Sequence, residues 1–443
     1  MIIPQKKKDI KRSLEMAYEK SLTLRIIAGR HSSNIQNPDF YLDISNYTNI
    51  KLHKNILTAG GGINQGNVYQ YLFDQQSDYH FVHGVKMCHP LHSYFISRLL
   101  NNSLANSEVF PGGSAGSVCV GGFTTGGGIG SLKRTYGLTI DNVLEYQIIV
   151  PPNKFNKEAT QITTTKNNNN DLFWALSGGL ASNFGVITQI TYLLPKINKV
   201  IMYSIVWPWN LAKQALTLWL QTAPTRSFYY NEDIALHSSL EDSGIEVGGL
   251  YVIPDTQTTE EALNYITNEL QYLVNIGGTF KTQITSYSQT MTTLANNRVY
   301  YPFSSTRVYF SSNQIDVDYV VAHMNRARSI NGLCLFGIEL LGGKISEKPS
   351  SEAAFYPRQA DFFYDIFAYC QSSLDFSDIN LWVKEFFDTT YNPNTDNVFI
   401  GFQIPNLVDH LTAYYGNNKY RLIDIKNKYD PFGVMNYPQG INI

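Results

Sequence analysis

The sequence predicts an α+β protein of two regions, and three observations carry that expectation. A strand, a glycine turn and a helix alternate through the first eighty residues. Nine glycines fall within the twenty residues 111–130. From about Lys199 the pattern changes to apolar residues at period two, the signature of antiparallel sheet.

Taken in order, Asp9 to Lys20 places Ile10, Leu14 and Ala17 on one helical face, and Leu22 to Ile27 reads as a short buried strand. An Ala-Gly-Arg break follows, which puts His31 on a loop at the strand's end. Lys54 to Thr58 is a second short strand; Gly60, Gly61 and Gly62 then lead into a helix over Asn67 to Phe73. "VIMYSIVWPW" and "IEVGGLYVI" read as strands of the second region. Thr258 with Glu261 makes a capping box before a helix that ends near Gly277. In the tail, a helix over Lys419 to Lys428 is stopped by Asp430-Pro431.

With 443 residues, 43% of them hydrophobic, the chain can bury a sizeable core, and its net charge of −2 argues against nucleic acid or an anionic membrane surface as partner. Small molecules are the expected partners. Lysines stand in "MIIPQKKKDI" where a signal peptide needs an apolar core, and there is no apolar run of membrane-spanning length, so an intracellular chain is expected. Cys88, Cys119, Cys334 and Cys370 lack the paired spacing of a disulfide framework or a compact zinc site. Nothing in the sequence sets the oligomeric state.

The run "PGGSAGSVCVGGFTTGGGIG" has little to gain from packing its own side chains, so its return lies in close backbone approach, as where bare N–H groups receive a phosphate. A dinucleotide fingerprint is a poor fit, because serine stands where the last glycine of that motif belongs. A dinucleotide held by several loops fits better than a glycine-rich connection without a ligand. His80, His83, Cys88, His89 and His92 invite a metal reading, yet their spacing matches no closed tetrahedral site, and no metal is expected.

These stretches resemble the berberine-bridge-enzyme-like FAD-linked oxidases of the vanillyl-alcohol oxidase superfamily, nearly end to end. "RIIAGRHSS" resembles that family's Arg-Ser-Gly-Gly-His-Ser segment, whose histidine bonds covalently to the flavin. "VGGFTTGGGIGSLKRTYGLTIDNVLE", "DLFWALSGGLASNFGVIT" and "AAFYPR" (353–358) resemble further family segments. The resemblance implies a two-domain FAD-binding fold of the vanillyl-alcohol oxidase type: an FAD domain over residues 1–197, an antiparallel-sheet substrate domain over 198–404, and a segment over 405–443 that returns to the FAD domain. It further implies an FAD-dependent oxidase that takes a hydride from a C–H bond of an alcohol, sugar or secondary metabolite. The cofactor would lie against Gly29, Arg30, His31 and Ser32; against Gly113, Ser114, Ser117, Val118, Gly121, Gly122, Thr125 and Gly126; and against Gly185, Val186, Ile187 and Asn436.

Departures from the family's pattern shape the expectation. Ala115 stands where doubly attached members carry their second linking cysteine, so FAD is expected to be bound through His31 alone; Cys119 falls at a family glycine. Arg30 replaces a glycine beside the histidine. Val118 stands at the position where valine accompanies oxygen-reactive members, which implies dioxygen as acceptor and hydrogen peroxide as product. The family's C-terminal tyrosine base is replaced by Ile404 in "GFQIP", leaving Tyr364, Asp365 and Gln403 as candidates for polar catalytic roles. The missing base also motivates a rival expectation, a flavin-bearing protein that keeps the scaffold without efficient turnover and serves in binding or structure.

Overall fold

A computed structural model describes residues 1–29, 38–76, 107–197, 199–238, 243–296 and 301–442. Arg30, His31, Ser32 and the histidines between His80 and His92 lie outside the described residues.

The first helix, Lys7–Lys20, buries Ile10, Leu14 and Ala17 and ends at Ser21 in the left-handed region (φ 52°). Leu24–Ile27 follows and pairs in parallel with Phe40–Asp43. Only Leu24 of that strand is buried, where a short buried strand was expected over Leu22 to Ile27. The rest of the strand is half-buried, with Ile26 packed on the small core of Ile10, Leu14 and Leu42 on one side of this two-stranded ladder. Behind it, five antiparallel strands lie in the order Ile50–His53, Ile56–Gly60, Val186–Leu193, Val143–Val150, Thr160–Thr164.

The glycine turn after Ile56–Gly60 is spent on backbone packing. A side chain on Gly62 would lie 1.9 Å from the Ile44 carbonyl oxygen, and one on Gly61 would lie 2.5 Å from that of Ile187. The helix after this turn runs Gln65–Gln76, longer at both ends than Asn67 to Phe73.

Among the described residues, the second region holds an eight-stranded sheet in the order Thr279–Thr285, Val200–Trp207, Ser243–Val252, Tyr230–Ser238, Leu333–Leu340, Phe362–Cys370, Phe303–Ser311, Asn397–Val398. Every neighbouring pair in it is antiparallel. Helices Ala212–Thr222, Val317–Ala327 and Phe376–Thr390 pack on one face. The helix Thr259–Asn275 starts at the expected capping box: the Glu261 N–H donates to Thr258 Oγ1 (3.2 Å), and the Thr258 N–H donates to Glu261 (2.8 Å).

The opposite face turns towards the first region. Val308, Phe310 and Phe363 of the sheet pack with Leu138, Ile140 and Phe355, so the end of the glycine-rich segment lies beneath the sheet. The tail helix Lys419–Tyr429 sends Lys426 Nζ to the Asn183 carbonyl (2.8 Å), and the Ile441 N–H donates to Asn183 Oδ1 (2.9 Å). Those bonds fasten the C-terminal residues onto the first region. Among the described residues, no helix is long and apolar enough to cross a membrane.

Candidate functional site

The segment 111–119 is shaped by the helix Gln65–Gln76. Gln65 Oε1 accepts from the Gly113 N–H (2.7 Å), Tyr69 Oη donates to the Gly113 carbonyl (2.8 Å), and the Gly66 and Gln65 N–H groups donate to the carbonyls of Gly116 (2.8 Å) and Val118 (2.9 Å). Held this way, the loop turns Ser114 and Ser117 outward, exposed, and leaves Ala115 and Val118 half-buried. Ala295 of the second region closes one side, since a side chain on Gly116 would lie 2.5 Å from its carbonyl oxygen.

The strand that leads towards His31 ends on this loop. A side chain on Gly29 would lie 2.8 Å from the Ser117 carbonyl oxygen and 3.0 Å from the Cys119 nitrogen. Two segments almost ninety residues apart in sequence therefore meet, and glycine is what lets them. Gly121 belongs to the same junction: its N–H donates to the Gly61 carbonyl (3.1 Å), and Gly61 packs on Ile187. Thr125 Oγ1 donates to the Gly121 carbonyl (2.7 Å) and accepts from the Ala181 N–H (3.2 Å).

Not every predicted contact residue is free to meet a ligand. Gly185 is pressed on the Ile149 carbonyl, and Val186 packs in a small core with Ile10 and Leu14. Gly126 sits beside the Gly122 carbonyl. Gly113 faces the ring of Phe123. Asn436 lies apart, in a hollow with Thr23 and Gly433, and its Oδ1 is buried without a hydrogen-bond partner among the described residues.

The residues present fit a flavin nucleotide. Ser114, Ala115, Ser117 and Val118 form a ridge of small side chains, and beyond it the backbone at Gly122 is bare, with no atom of the described residues within 4 Å of where a side chain would begin. Cys119, next to the ridge, is not poised as a nucleophile. Its thiol donates to the Gly62 carbonyl (3.1 Å), and burial, with the nearby Asp43 carboxylate adding to it, pushes the thiol up to about 11.

The three catalytic candidates separate. Tyr364 and Asp365 are consecutive in a strand, so they point to opposite faces. Tyr364 falls on the helix side, where its ring packs on Tyr309 and its hydroxyl donates to the Asn313 carbonyl (2.8 Å). That position takes it out of the cleft. Gln403 is buried and meets Tyr437, whose hydroxyl is also bonded to Ser182 (3.3 Å), so it lies in the seam with the tail.

Asp365 alone of the three lies on the face turned to the glycine-rich segment, and it has company that sequence reasoning missed. Lys133, from the short helix Lys133–Tyr136, forms ion pairs with Asp233 (3.2 Å) and Glu339 (2.8 Å). Burial opposes the charge on Lys133, but Asp233 and then Glu339 outweigh it and raise the ammonium above its ordinary value. Desolvation beside Lys133 and the neighbouring Glu339 raise the half-exposed Asp233 above its ordinary value, with the Lys133 charge opposing. Burial, then Glu339 and Asp233, pushes Asp365 well above the usual carboxylate range. The available signal was a single acid inside an apolar run, as in "LCLFGIELL" and "FFYDIFAYC". Further across the same face, burial pushes Glu246 up to about 7 against the opposing charge of Lys281.

Residues 394–442 match the family model described as berberine and berberine like. The uncharacterized FAD-linked oxidoreductase YgaK of Bacillus subtilis (strain 168) is 26% identical over 459 residues, covering 100% of this chain and 90% of that protein. Among solved structures, BBE-like #28 from Arabidopsis thaliana superposes with a TM-score of 0.79 at 18% identity, covering 100% of this chain and 91% of that one. The xylooligosaccharide oxidase from Myceliophthora thermophila C1, in complex with xylobiose, superposes with a TM-score of 0.76 at 19% identity, covering 99% and 90%. At those identities the structural likenesses show the α+β fold of this oxidase group.

Proposed function

From a chain that belongs to the berberine-bridge-enzyme-like FAD-linked oxidoreductases, we propose an oxidase that removes a hydride from a C–H bond of an alcohol, a sugar or a related secondary metabolite, with FAD attached through His31 alone and dioxygen as the final acceptor. The observation that carries this reading is the seat of Gly29 on Ser117 and Cys119, which brings the chain, two residues before His31, onto the ridge of Ala115 and Val118. When bound there, FAD supplies the hydride acceptor.

The protein's own residues do the rest. Ser114, Ser117 and the bare backbone at Gly122 would hold the nucleotide; Ala115 offers no sulfur for a second bond, and Cys119 keeps its proton. The face carrying Asp365 binds and orients the substrate and takes up its proton. A sugar or alcohol substrate is supported by the polar character of that face, where Asp233, Glu246, Glu339 and Asp365 can bond hydroxyl groups.

The test has two parts. Protein denatured and precipitated with acid is expected to keep a yellow flavin, and His31→Ala to release it; complete release from the unaltered chain would refute the attachment. A screen of sugars and alcohols under anaerobic conditions is expected to find substrates that bleach the flavin. Failure across the screen would favour the rival reading, a flavin-bearing scaffold without turnover.

A further inference from the structure

The large sheet places three carboxyl groups and one ammonium together where strands Tyr230–Ser238, Leu333–Leu340 and Phe362–Cys370 run side by side. Asp233 stands directly opposite Glu339, and Asp365 stands opposite Gly337, two residues from Glu339 on the same face. Gly337 has no side chain to occupy its place, and the Asp365 carboxyl leans over it: a side chain beginning there would lie 3.4 Å from Asp365 Cβ and 3.6 Å from its Oδ2. That sets Asp365 diagonally across from Glu339 on one face of the sheet, where the two carboxyls act on each other's charge.

Lys133 enters from the first region and closes the arrangement from beneath. Its side chain is 3% exposed, whereas Asp233 and Glu339 are 44% and 26% exposed, so the ammonium is a buried floor and the carboxyls open upward. Fully ionised, the group would carry three negative charges against one positive charge, and neighbouring carboxylates cannot all hold charge in a partly buried site. Among the described residues, the charged groups that face Asp365 are Glu339, Asp233 and Lys133. Asp365, which burial and its two carboxyl neighbours push well above the usual range, is the member that carries the proton.

We infer that Asp365 and Glu339 share one proton as a single acid–base pair, with Lys133 as its positioning residue, and that this pair takes up the proton of the substrate hydroxyl. The inference rests on the oxidase reading above and adds the group that does the proton work. In the step, the substrate O–H proton passes to a Glu339 oxygen, the C–H bond breaks with its electron pair leaving as hydride to FAD, and the carbon–oxygen double bond forms. The pair, now holding two protons, returns one to solvent on the open side at Asp233.

The same arrangement explains why Lys133 is buried. An ammonium fixed under Glu339 lets that carboxylate point at a substrate without swinging towards solvent, and it lowers the pH at which the pair can accept a proton.

The experiment uses the flavin-loaded protein. Asp365→Asn and Glu339→Gln, with flavin content and folding checked by absorption and circular dichroism, are each expected to slow anaerobic flavin reduction by about 100-fold or more. Lys133→Met is expected to move the midpoint of the pH profile of reduction upward by about one unit, because loss of the positive charge makes the pair more basic. A purely structural lysine would change stability or flavin content and leave that midpoint in place. Independently of turnover, the infrared spectrum of the resting protein at about pH 8.5, above the range in which Glu246 holds its proton, is expected to contain a protonated-carboxyl band that disappears in Asp365→Asn. Persistence of that band in Asp365→Asn, or an unmoved midpoint in Lys133→Met, would overturn the pair. If no substrate reduces the unaltered enzyme, the oxidase reading fails, and the infrared comparison still decides whether the pair exists.

Discussion

Arg358, with none of its side chain exposed, grips Asp141 through both terminal nitrogens, at 2.9 and 3.1 Å, and so ties the sheet region to the end of the glycine-rich segment. Lys348 adds a second contact to Asp141 at 2.8 Å. Burial works against the charge on Asp141, yet the hydrogen bonds and charge of Arg358, with Lys348, hold the carboxyl below its usual range. Arg358→Met is expected to cost about 3–5 kcal/mol, because it strands a buried carboxylate. Thermal unfolding with and without flavin is the measurement; a loss under about 1 kcal/mol would show that Lys348 compensates alone.

Stability should fall as pH rises across the range set by Glu246. Its folded carboxyl sits at about 7, against an ordinary value of 4.5, and burial is the main cause. Between those values the folded chain binds more protons than the unfolded chain, so each step up in pH favours unfolding. The contribution is complete below about pH 4.5 and gone above about pH 7, with a size of about 3 kcal/mol. Urea unfolding at intervals from pH 5 to pH 8 should show a fall in the unaltered protein to which the raised Asp233 and Asp365 also contribute, and Glu246→Gln should make it shallower. A slope of equal size in the variant would assign the effect elsewhere.

Val118 is half-buried on the ridge, and its carbonyl is fixed by the Gln65 N–H. Val118→Leu adds a methylene at a position whose backbone cannot retreat, so reoxidation of photoreduced flavin by air-saturated buffer is expected to slow by about tenfold or more. Stopped-flow spectroscopy measures it. Equal rates in the two proteins, or slow reoxidation already in the unaltered chain alongside fast reoxidation by a quinone, would remove dioxygen as the acceptor.

Cys119, Cys334 and Cys370 are buried free thiols, and burial pushes Cys334 up to about 12. Iodoacetamide at neutral pH is expected to leave all three unmodified in the folded protein and to label them after unfolding, as read by peptide mass mapping. Labelling of Cys119 in the folded state would show a reactive thiol beside the ridge and reopen the question of a second flavin bond.

Elemental analysis is expected to find no stoichiometric metal. Among the described residues no group of three or more histidine, cysteine, aspartate and glutamate side chains is placed to hold an ion. His80, His83, Cys88, His89 and His92 lie outside those residues, so the measurement addresses them directly. A bound metal whose removal by a chelator abolished activity would overturn the expectation.

Local rules decided much of this protein. The helical face of Ile10, Leu14 and Ala17, the capping box of Thr258 and Glu261, and the stop at Asp430-Pro431 are readable because each depends on residues within a turn or two of one another. The glycine run was legible as a place of close backbone approach. What approached was not: neighbouring carbonyls meet Gly61, Gly121 and Gly185, and only the register of the five-stranded sheet and the turns beside it decides that. The charged site belongs to the tertiary structure altogether. Asp365 and Tyr364 are adjacent letters with similar surroundings in sequence, yet strand alternation sends one into the cleft and the other among the helices. Lys133, Asp233 and Glu339 come from three elements about a hundred residues apart from one to the next, and no local pattern links them. Their meaning arises from burial and mutual distance, because the free energy of a charge depends on what replaces its water.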